Sequence, residues 1–281
     1  MTEEAVIATV KPAFPTRLWT RPLIRAIVGI ILTFAPVPLT MILAHNLVDK
    51  PYRQVWPQVL AAGLSFLAYR FFARRVEKRD LTEFAPQAAV REAFLGLLLG
   101  AGLVCTVYVL LGLLGAYHLD GVNDATPRLL LPLADLLMVG LAEEIVFRGL
   151  IFRIAEQSIG TRWAIIVSAV IFGLAHLSNQ GISLVPVAAT VAYGVLQAAI
   201  YIRTRRLWLC IANHIAWNFC VGQIFSTSVS GQDVQVGLLR GQFRGSDLLT
   251  GGVYGVEGSV ITLIVVSAVA AYVLRQSRHP T

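Results

Sequence analysis

The chain has 281 residues, of which 56% are hydrophobic and only 14% are charged. An ordinary soluble domain is roughly a quarter charged, so this composition and a mean hydropathy of +0.70 exclude a soluble globular protein and indicate a polytopic membrane protein. The net charge of +7 does not indicate a nucleic-acid-binding protein, because Lys and Arg stand in short loops between apolar runs.

The apolar runs predict an all-α membrane helix bundle. Residues 1–25 are polar and are expected to form a cytoplasmic N-terminal segment, whereas residues 26–281 are expected to form a single membrane domain. We predict about eight transmembrane helices, at about residues 26–44, 54–69, 93–117, 129–156, 163–177, 182–202, 207–225 and 258–274. Pro36 and Pro38 are expected to bend the first of these helices.

The distribution of basic residues predicts the orientation of the bundle. Cytoplasmic segments of membrane proteins are enriched in Lys and Arg, and a cytoplasmic N-terminus places 18 of the 23 such residues in the cytoplasm. We therefore expect both termini inside. Residues 74–92 are expected to form an amphipathic surface helix with solvated charges. Residues 226–257 are rich in Gly and Ser and show no feature of a catalytic site.

The fourth predicted helix contains Glu143, Glu144 and Arg148 within an otherwise apolar stretch. An ionisable group at membrane depth costs about 3 kcal/mol or more, so this cluster predicts a functional site. Glu144 and Arg148 are one helical turn apart and can form an ion pair. Glu143 is rotated by about 100° and lacks that partner, which favours it as a general base. Asp135, about two turns earlier, could line the outer mouth of a cavity.

Two further polar pairs have the same spacing of one helical turn. Phe172 and His176 share a face of the fifth predicted helix, and His214 and Asn218 share a face of the seventh. If the bundle turns these faces inward, both histidines can meet Glu143. The side chains of these two pairs and of Glu143 are therefore candidates for one active site.

Three motifs, in this order on separate predicted helices, resemble those of the CPBP intramembrane proteases: Glu143-Glu144-x-x-x-Arg148, Phe172-x-x-x-His176 and His214-x-x-x-Asn218. This family includes the type II CAAX prenyl endopeptidases and bacteriocin-processing proteins. The resemblance is strongest over about residues 130–225, the expected catalytic core. It implies that Glu143 and His176 activate a water molecule. It also implies that His214 and Asn218 bind the oxyanion, with Glu144, Arg148 and Phe172 as structural support.

The resemblance implies a peptide or protein substrate within the lipid bilayer, prenylated or not, and we expect no nucleic-acid partner. We favour a mechanism without a cofactor. The alternative is a zinc site, because Glu143, His176 and His214 supply one carboxylate and two imidazoles, although the chain lacks an HExxH motif. The expected location is the plasma membrane of a prokaryote, as a multi-pass protein.

Two functions from other classes remain open at this point. One is a non-catalytic immunity or partner-binding membrane protein on the same scaffold. The other is a proton-coupled transporter in which Glu143 and the histidines form a relay, although the inverted repeat expected of many transporters is not evident.

Overall fold

The computed structural model describes residues 21–124, 126–234 and 237–277, so most of the predicted N-terminal segment lies outside it. The protein is 76% helical with little sheet. Its α-helices are, in chain order, α1 (Pro22–Phe34), α2 (Pro36–Leu47), α3 (Trp56–Phe71), α4 (Ala89–Leu113), α5 (Leu133–Glu144), α6 (Arg153–Ala175), α7 (Leu184–Thr204), α8 (Trp208–Phe219), α9 (Asp247–Thr250) and α10 (Val260–Ser277). The strands are β1 (Tyr117–Val122) and β2 (Leu239–Phe243).

The helices are those of a membrane protein. Four helical stretches among the described residues are long and apolar enough to cross a membrane: Pro22–Leu47, Thr82–Leu113, Leu184–Thr204 and Val260–Ser277. Many large apolar side chains on their outer faces, such as Leu39, Ile42 and Leu113, stay exposed, which is typical of contact with lipid. The all-α class is therefore confirmed. The number of eight spans and the orientation remain predictions.

The first predicted helix is divided at the expected place. α1 ends at Phe34 and α2 begins at Pro36, so the two helices meet at Ala35. Proline lacks the backbone N–H that would continue the hydrogen-bond pattern of a preceding helix, which explains the division.

The stretch that carries the double glutamate is not a single regular helix. α5 ends at Glu144, and the π-helical segment Ile145–Phe152 leads directly into α6. α6 is interrupted at Gly160, whose φ of +80° is readily available only to glycine. This break separates the fourth and fifth predicted spans. A π-helical segment has wider hydrogen-bond spacing than an α-helix and is frequent at functional sites.

The prediction of an amphipathic surface helix over residues 74–92 is wrong. The stretch contains the end of a π-helical segment, Phe72–Val76, two 3₁₀ turns, Thr82–Phe84 and Pro86–Ala88, and the first residues of α4. Its charges pair with one another and with the bundle: Arg79 lies 2.7 Å from Glu77 and 2.8 Å from Glu83, and Glu77 lies 2.5 Å from Arg153. Because these ion pairs satisfy the charges, the segment folds against the end of the bundle.

The long segment between α8 and α10 forms an ordered cap at the other end of the bundle. β2 pairs antiparallel with β1, which joins this segment to the loop after α4. Aromatic rings hold the pair on the bundle: the ring centroids of Tyr117 and Phe243 are 5.2 Å apart, and the rings of Tyr108 and Phe225 stack at 3.7 Å.

α4 packs closely along α8 because small residues line its contact face. A Cβ atom at Gly96 would lie 2.5 Å from the backbone oxygen of Leu209, and one at Gly100 would lie 2.4 Å from the backbone oxygen of Asn213. Neither position has room for a larger side chain. These two glycines therefore fix the position of α8, which carries His214 and Asn218.

Candidate active site

The four residues that the sequence analysis assigned to catalysis line one cavity of about 450 Å³. Glu143 lies at the end of α5, His176 lies directly after α6, and His214 and Asn218 lie on α8. The structure therefore brings together side chains from three separate helices. Their catalytic roles remain predictions.

His176 and His214 line the same cavity although they lie at different distances from the starts of their helices. His176 follows the break at Gly160 by about 24 Å of helix, whereas His214 follows Trp208 by about 9 Å. α8 therefore starts at a different depth along the bundle. Hydrogen bonds to the segment before α4 hold it there: the backbone N–H of Leu207 donates to the backbone oxygen of Glu83 at 2.9 Å.

Glu144 is fully buried and accepts further hydrogen bonds besides its ion pair with Arg148. Its Oε1 atom accepts hydrogen bonds from Arg148 Nη1 at 3.0 Å, Gln197 Nε2 at 2.9 Å and His214 Nδ1 at 2.9 Å. The guanidinium of Arg148 also lies over the Phe172 ring, 4.9 Å from its centroid. The predicted structural pair thus directly orients a predicted catalytic histidine.

The hydrogen bonds of both histidines define which ring nitrogen carries a proton. His176 Nδ1 lies 2.8 Å from the backbone oxygen of Phe172, which can only accept, so Nδ1 is the donor of this hydrogen bond. His214 Nδ1 faces the ionised carboxylate of Glu144 and is also a donor. Its Nε2 atom lies 4.0 Å from Glu143 Oε2.

Glu143 differs from Glu144 in its surroundings. Its side chain is 23% exposed and lines the cavity, and its Oε2 atom has no hydrogen-bond partner among the described residues. Within the same part of the chain, no basic side chain other than His214 lies within 4 Å of this carboxylate. The side chain therefore reaches the cavity, although its Oε2 atom is itself buried.

Sequence reasoning missed three polar residues behind this site. Asn213 Nδ2 donates to Gln197 Oε1 at 3.0 Å and to Tyr193 Oη at 3.1 Å, and Gln197 donates to Glu144. Because buried polar groups must be paired, these residues keep the Glu144 carboxylate in place. The sequence feature that could have pointed to them is Gln197, the only amide side chain in the predicted span at residues 182–202.

The cavity is lined by both apolar and polar side chains. The apolar ones from α1, α5 and the π-helical segment are Ile30, Phe34, Val139, Val146 and Phe147. The polar ones include Asn179, Ser230 and Gln232. Residues 226–257, in which the sequence showed nothing catalytic, therefore supply part of the wall of the site.

Asp135 lies apart from these residues. It lines a separate cavity of about 690 Å³ near the start of α5, together with Lys50, Arg53 and Arg128. The expectation that Asp135 borders a cavity is correct, but this cavity is not the one that contains Glu143.

Among the described residues, no three side chains of His, Cys, Asp or Glu are arranged to hold a metal ion. The zinc alternative, with Glu143, His176 and His214 as ligands, stays a prediction. The expectation that the protein works without a cofactor remains a prediction.

Residues 125–220 match the family model described as type II CAAX prenyl endopeptidase Rce1-like. The matched region is about a third of the chain and contains all seven residues of the three motifs. No curated protein matches the chain. The family match supports the resemblance seen in the motifs: over residues 125–220, the chain is similar to the Rce1-like type II CAAX prenyl endopeptidases.

Proposed function

We propose that the protein is an intramembrane endopeptidase that hydrolyses a peptide bond of a membrane-associated or lipidated, CAAX-like substrate. The observation that carries this proposal is the single cavity lined by Glu143, His176, His214 and Asn218. The apolar side chains that line the same cavity suit a substrate that enters from the bilayer. The family match supports proteolysis as the reaction class.

Peptide hydrolysis requires an activated water molecule. Glu143 has an unpaired carboxylate oxygen, and neutral His176 has a free lone pair on Nε2 because its Nδ1–H donates to Phe172. A water molecule between them can lose a proton while its oxygen attacks the carbonyl carbon. We assign the proton to Glu143 and the orientation of the water to His176.

The attack creates an oxyanion that needs hydrogen-bond donors. His214 Nδ1–H is engaged by Glu144, so Nε2 must also be protonated if it is to donate. The buried carboxylate of Glu144 stabilises that positively charged imidazole. Asn218, one helical turn later, supplies an amide N–H as the second donor.

Collapse of the intermediate breaks the carbon–nitrogen bond. The leaving amine takes the proton that Glu143 accepted from water, and the new carboxyl group retains the water oxygen. Glu143 thereby returns to its ionised form, so the cycle balances without a further reactant.

We place the enzyme in the plasma membrane of a prokaryote, with eight spans and both termini in the cytoplasm. The apolar helices and the excess of Lys and Arg in the predicted inner segments support this arrangement. Some helices, such as α5 and α8, are too short to cross a bilayer. π-helical segments continue them and bring them closer to the length of a membrane span.

The function is tested by comparing protein termini in membranes of cells that contain the wild type or the Glu143→Gln variant. Loss of the base should leave at least one membrane-associated protein uncleaved. That protein, made as a quenched fluorescent peptide with and without a prenyl group, then tests lipid dependence with purified enzyme. Identical termini in both strains would favour a partner-binding protein or a transporter and contradict the proposal.

Metal content is tested on the same purified enzyme. We expect activity to survive chelation, because a water molecule activated by Glu143 and His176 needs no metal ion. Stoichiometric zinc that is lost together with activity would overturn the mechanism without a cofactor.

A further inference from the structure

A small cavity adjoins the catalytic one and shares His176, His214, Asn218 and Ser230 with it. Its volume is about 30 Å³, which is enough for a water molecule. Glu257 lines only this smaller cavity. This residue belongs to the turn Val256–Gly258 before α10, outside the three motifs and outside the region of the family match.

The carboxylate of Glu257 joins two parts of the active site. It is only 9% exposed, and its Oε1 atom accepts a hydrogen bond from Trp217 Nε1 at 2.6 Å. Its Oε2 atom accepts hydrogen bonds from the backbone N–H of Ser230 and from Ser230 Oγ, the latter at 3.1 Å. Trp217 directly precedes Asn218 on α8, whereas Ser230 lies in the wall of both cavities.

Ser230 needs such a contact because its backbone is in an unfavourable conformation. Residues 229–232 form a tight turn in which Val229 and Gln232 exchange hydrogen bonds, and Ser230 has a φ of +48°. The left-handed region is unfavourable for a residue with a side chain. A charged acceptor that binds both the N–H and the hydroxyl of Ser230 offsets this cost.

We propose that Glu257 is a positioning residue of the active site. It holds the end of α8, and with it His214 and Asn218, at a fixed distance from the Ser230 turn, which lines both cavities. It acts through Trp217 and Ser230 and does not contact the reacting atoms. This inference rests on the proposed function, because it assigns a role within that reaction.

The test is the Glu257→Gln variant, measured by steady-state cleavage of a peptide that the wild type cleaves. A glutamine amide cannot accept from all three donors, so the turn or α8 must shift. A displacement of about 1 Å can cost about 100-fold in rate, so we expect kcat to fall by about tenfold or more with KM changed by less than about threefold. Trp217→Phe removes only one of the three hydrogen-bond donors to Glu257, so it should lower kcat by less than Glu257→Gln does.

A double variant and a matched control separate positioning from general destabilisation. Trp217→Phe combined with Glu257→Gln should be no slower than Glu257→Gln alone, because both act through one carboxylate. Glu92→Gln also neutralises a buried glutamate, but Glu92 pairs with Arg206 before the start of α8, about 16 Å from Trp217 along that helix. This variant should keep the wild-type kcat.

A wild-type kcat in Glu257→Gln, or an equal loss in Glu92→Gln, would overturn the positioning role. If Glu257→Gln does not fold, the kcat values of Trp217→Phe and Ser230→Ala test the positioning role of Glu257 instead. A wild-type kcat in both variants would then overturn that role. Cleavage by Glu143→Gln would instead refute the proposed function. An inactive Glu143→Gln variant beside a fully active Glu257→Gln variant would refute only the role of Glu257.

Discussion

At the scale of single residues, Glu144 connects the structural and catalytic parts of the site. Its Oε1 atom binds both Arg148 and His214, so the charge that makes the ion pair also orients the imidazole. A buried ion pair contributes little net stability by itself, but removal of one partner leaves an uncompensated buried charge. The pair is therefore expected to be necessary for folding as well as for activity.

Arg148→Met should lower the free energy of unfolding by about 3–5 kcal/mol, because Glu144 then loses its counter-charge in a fully buried position. Denaturant unfolding in detergent measures this change. Arg205→Gln is the matched control: Arg205 pairs with Glu156, but its side chain is 54% exposed, so the loss should be about 1 kcal/mol or less. Equal stability of the two variants would contradict the structural role of the buried pair.

The residues that sequence reasoning found are those whose relation is local. Glu144 and Arg148 are one helical turn apart, and helical geometry alone predicts that their side chains meet. The bond between Glu144 and His214 joins residues 70 positions apart, and it depends on how α5 and α8 pack. Gln197 was missed for the same reason, because a single amide in an apolar span does not reveal its partner.

At the scale of elements, the position of α8 determines whether His214 and Asn218 reach the cavity. α4 approaches this helix through Gly96 and Gly100, where backbone atoms of α8 occupy the space of a side chain. The starting depth of α8 was not predictable, because it depends on hydrogen bonds to the segment before α4.

Gly100→Val should displace α8 and lower both cleavage and stability, the latter by about 1–3 kcal/mol, because overpacked interfaces force the backbone to move. Gly102 on the same helix is the control, because a Cβ atom at this position would meet no neighbouring atom within 4 Å, so Gly102→Val should resemble the wild type. Cleavage rates and thermal unfolding of both variants check this. Equal behaviour of the two would show that α4 does not set the position of α8.

The segments that were predicted wrongly lack a regular pattern of apolar residues in their sequence. Residues 74–92 were expected to be a surface helix, but their charges are satisfied by ion pairs with one another and with Arg153, so irregular turns are stable. The wall formed by residues 226–257 was missed because contacts such as Ser230 with Glu257 join distant positions in a Gly- and Ser-rich segment.

At the scale of the whole molecule, a network of ion pairs closes one end of the bundle and the β1–β2 pair closes the other. Between them, exposed apolar side chains face outward. Composition alone predicted the apolar outer surface, because a chain with so few charges cannot cover its surface with polar groups. The orientation in the membrane needs a separate test.

Labelling of cysteines that are introduced one at a time measures that orientation. Gln87→Cys lies at the end with the ion pairs, and Ser246→Cys lies in the cap beside β2. With both termini in the cytoplasm, a membrane-impermeant thiol reagent should label Ser246→Cys in intact cells and Gln87→Cys only after permeabilisation. The opposite pattern would reverse the assigned topology.

The most direct test of the whole account is peptide cleavage by purified Glu143→Gln protein in liposomes, compared with the wild type and with Asp135→Asn. Both variants neutralise a carboxylate on α5, but only Glu143 lines the cavity that contains both histidines. We expect Glu143→Gln to fold and to lose cleavage by about 100-fold or more, as removal of a general base does, while Asp135→Asn keeps the wild-type rate. Retained cleavage by Glu143→Gln would contradict the assignment of this cavity as the active site.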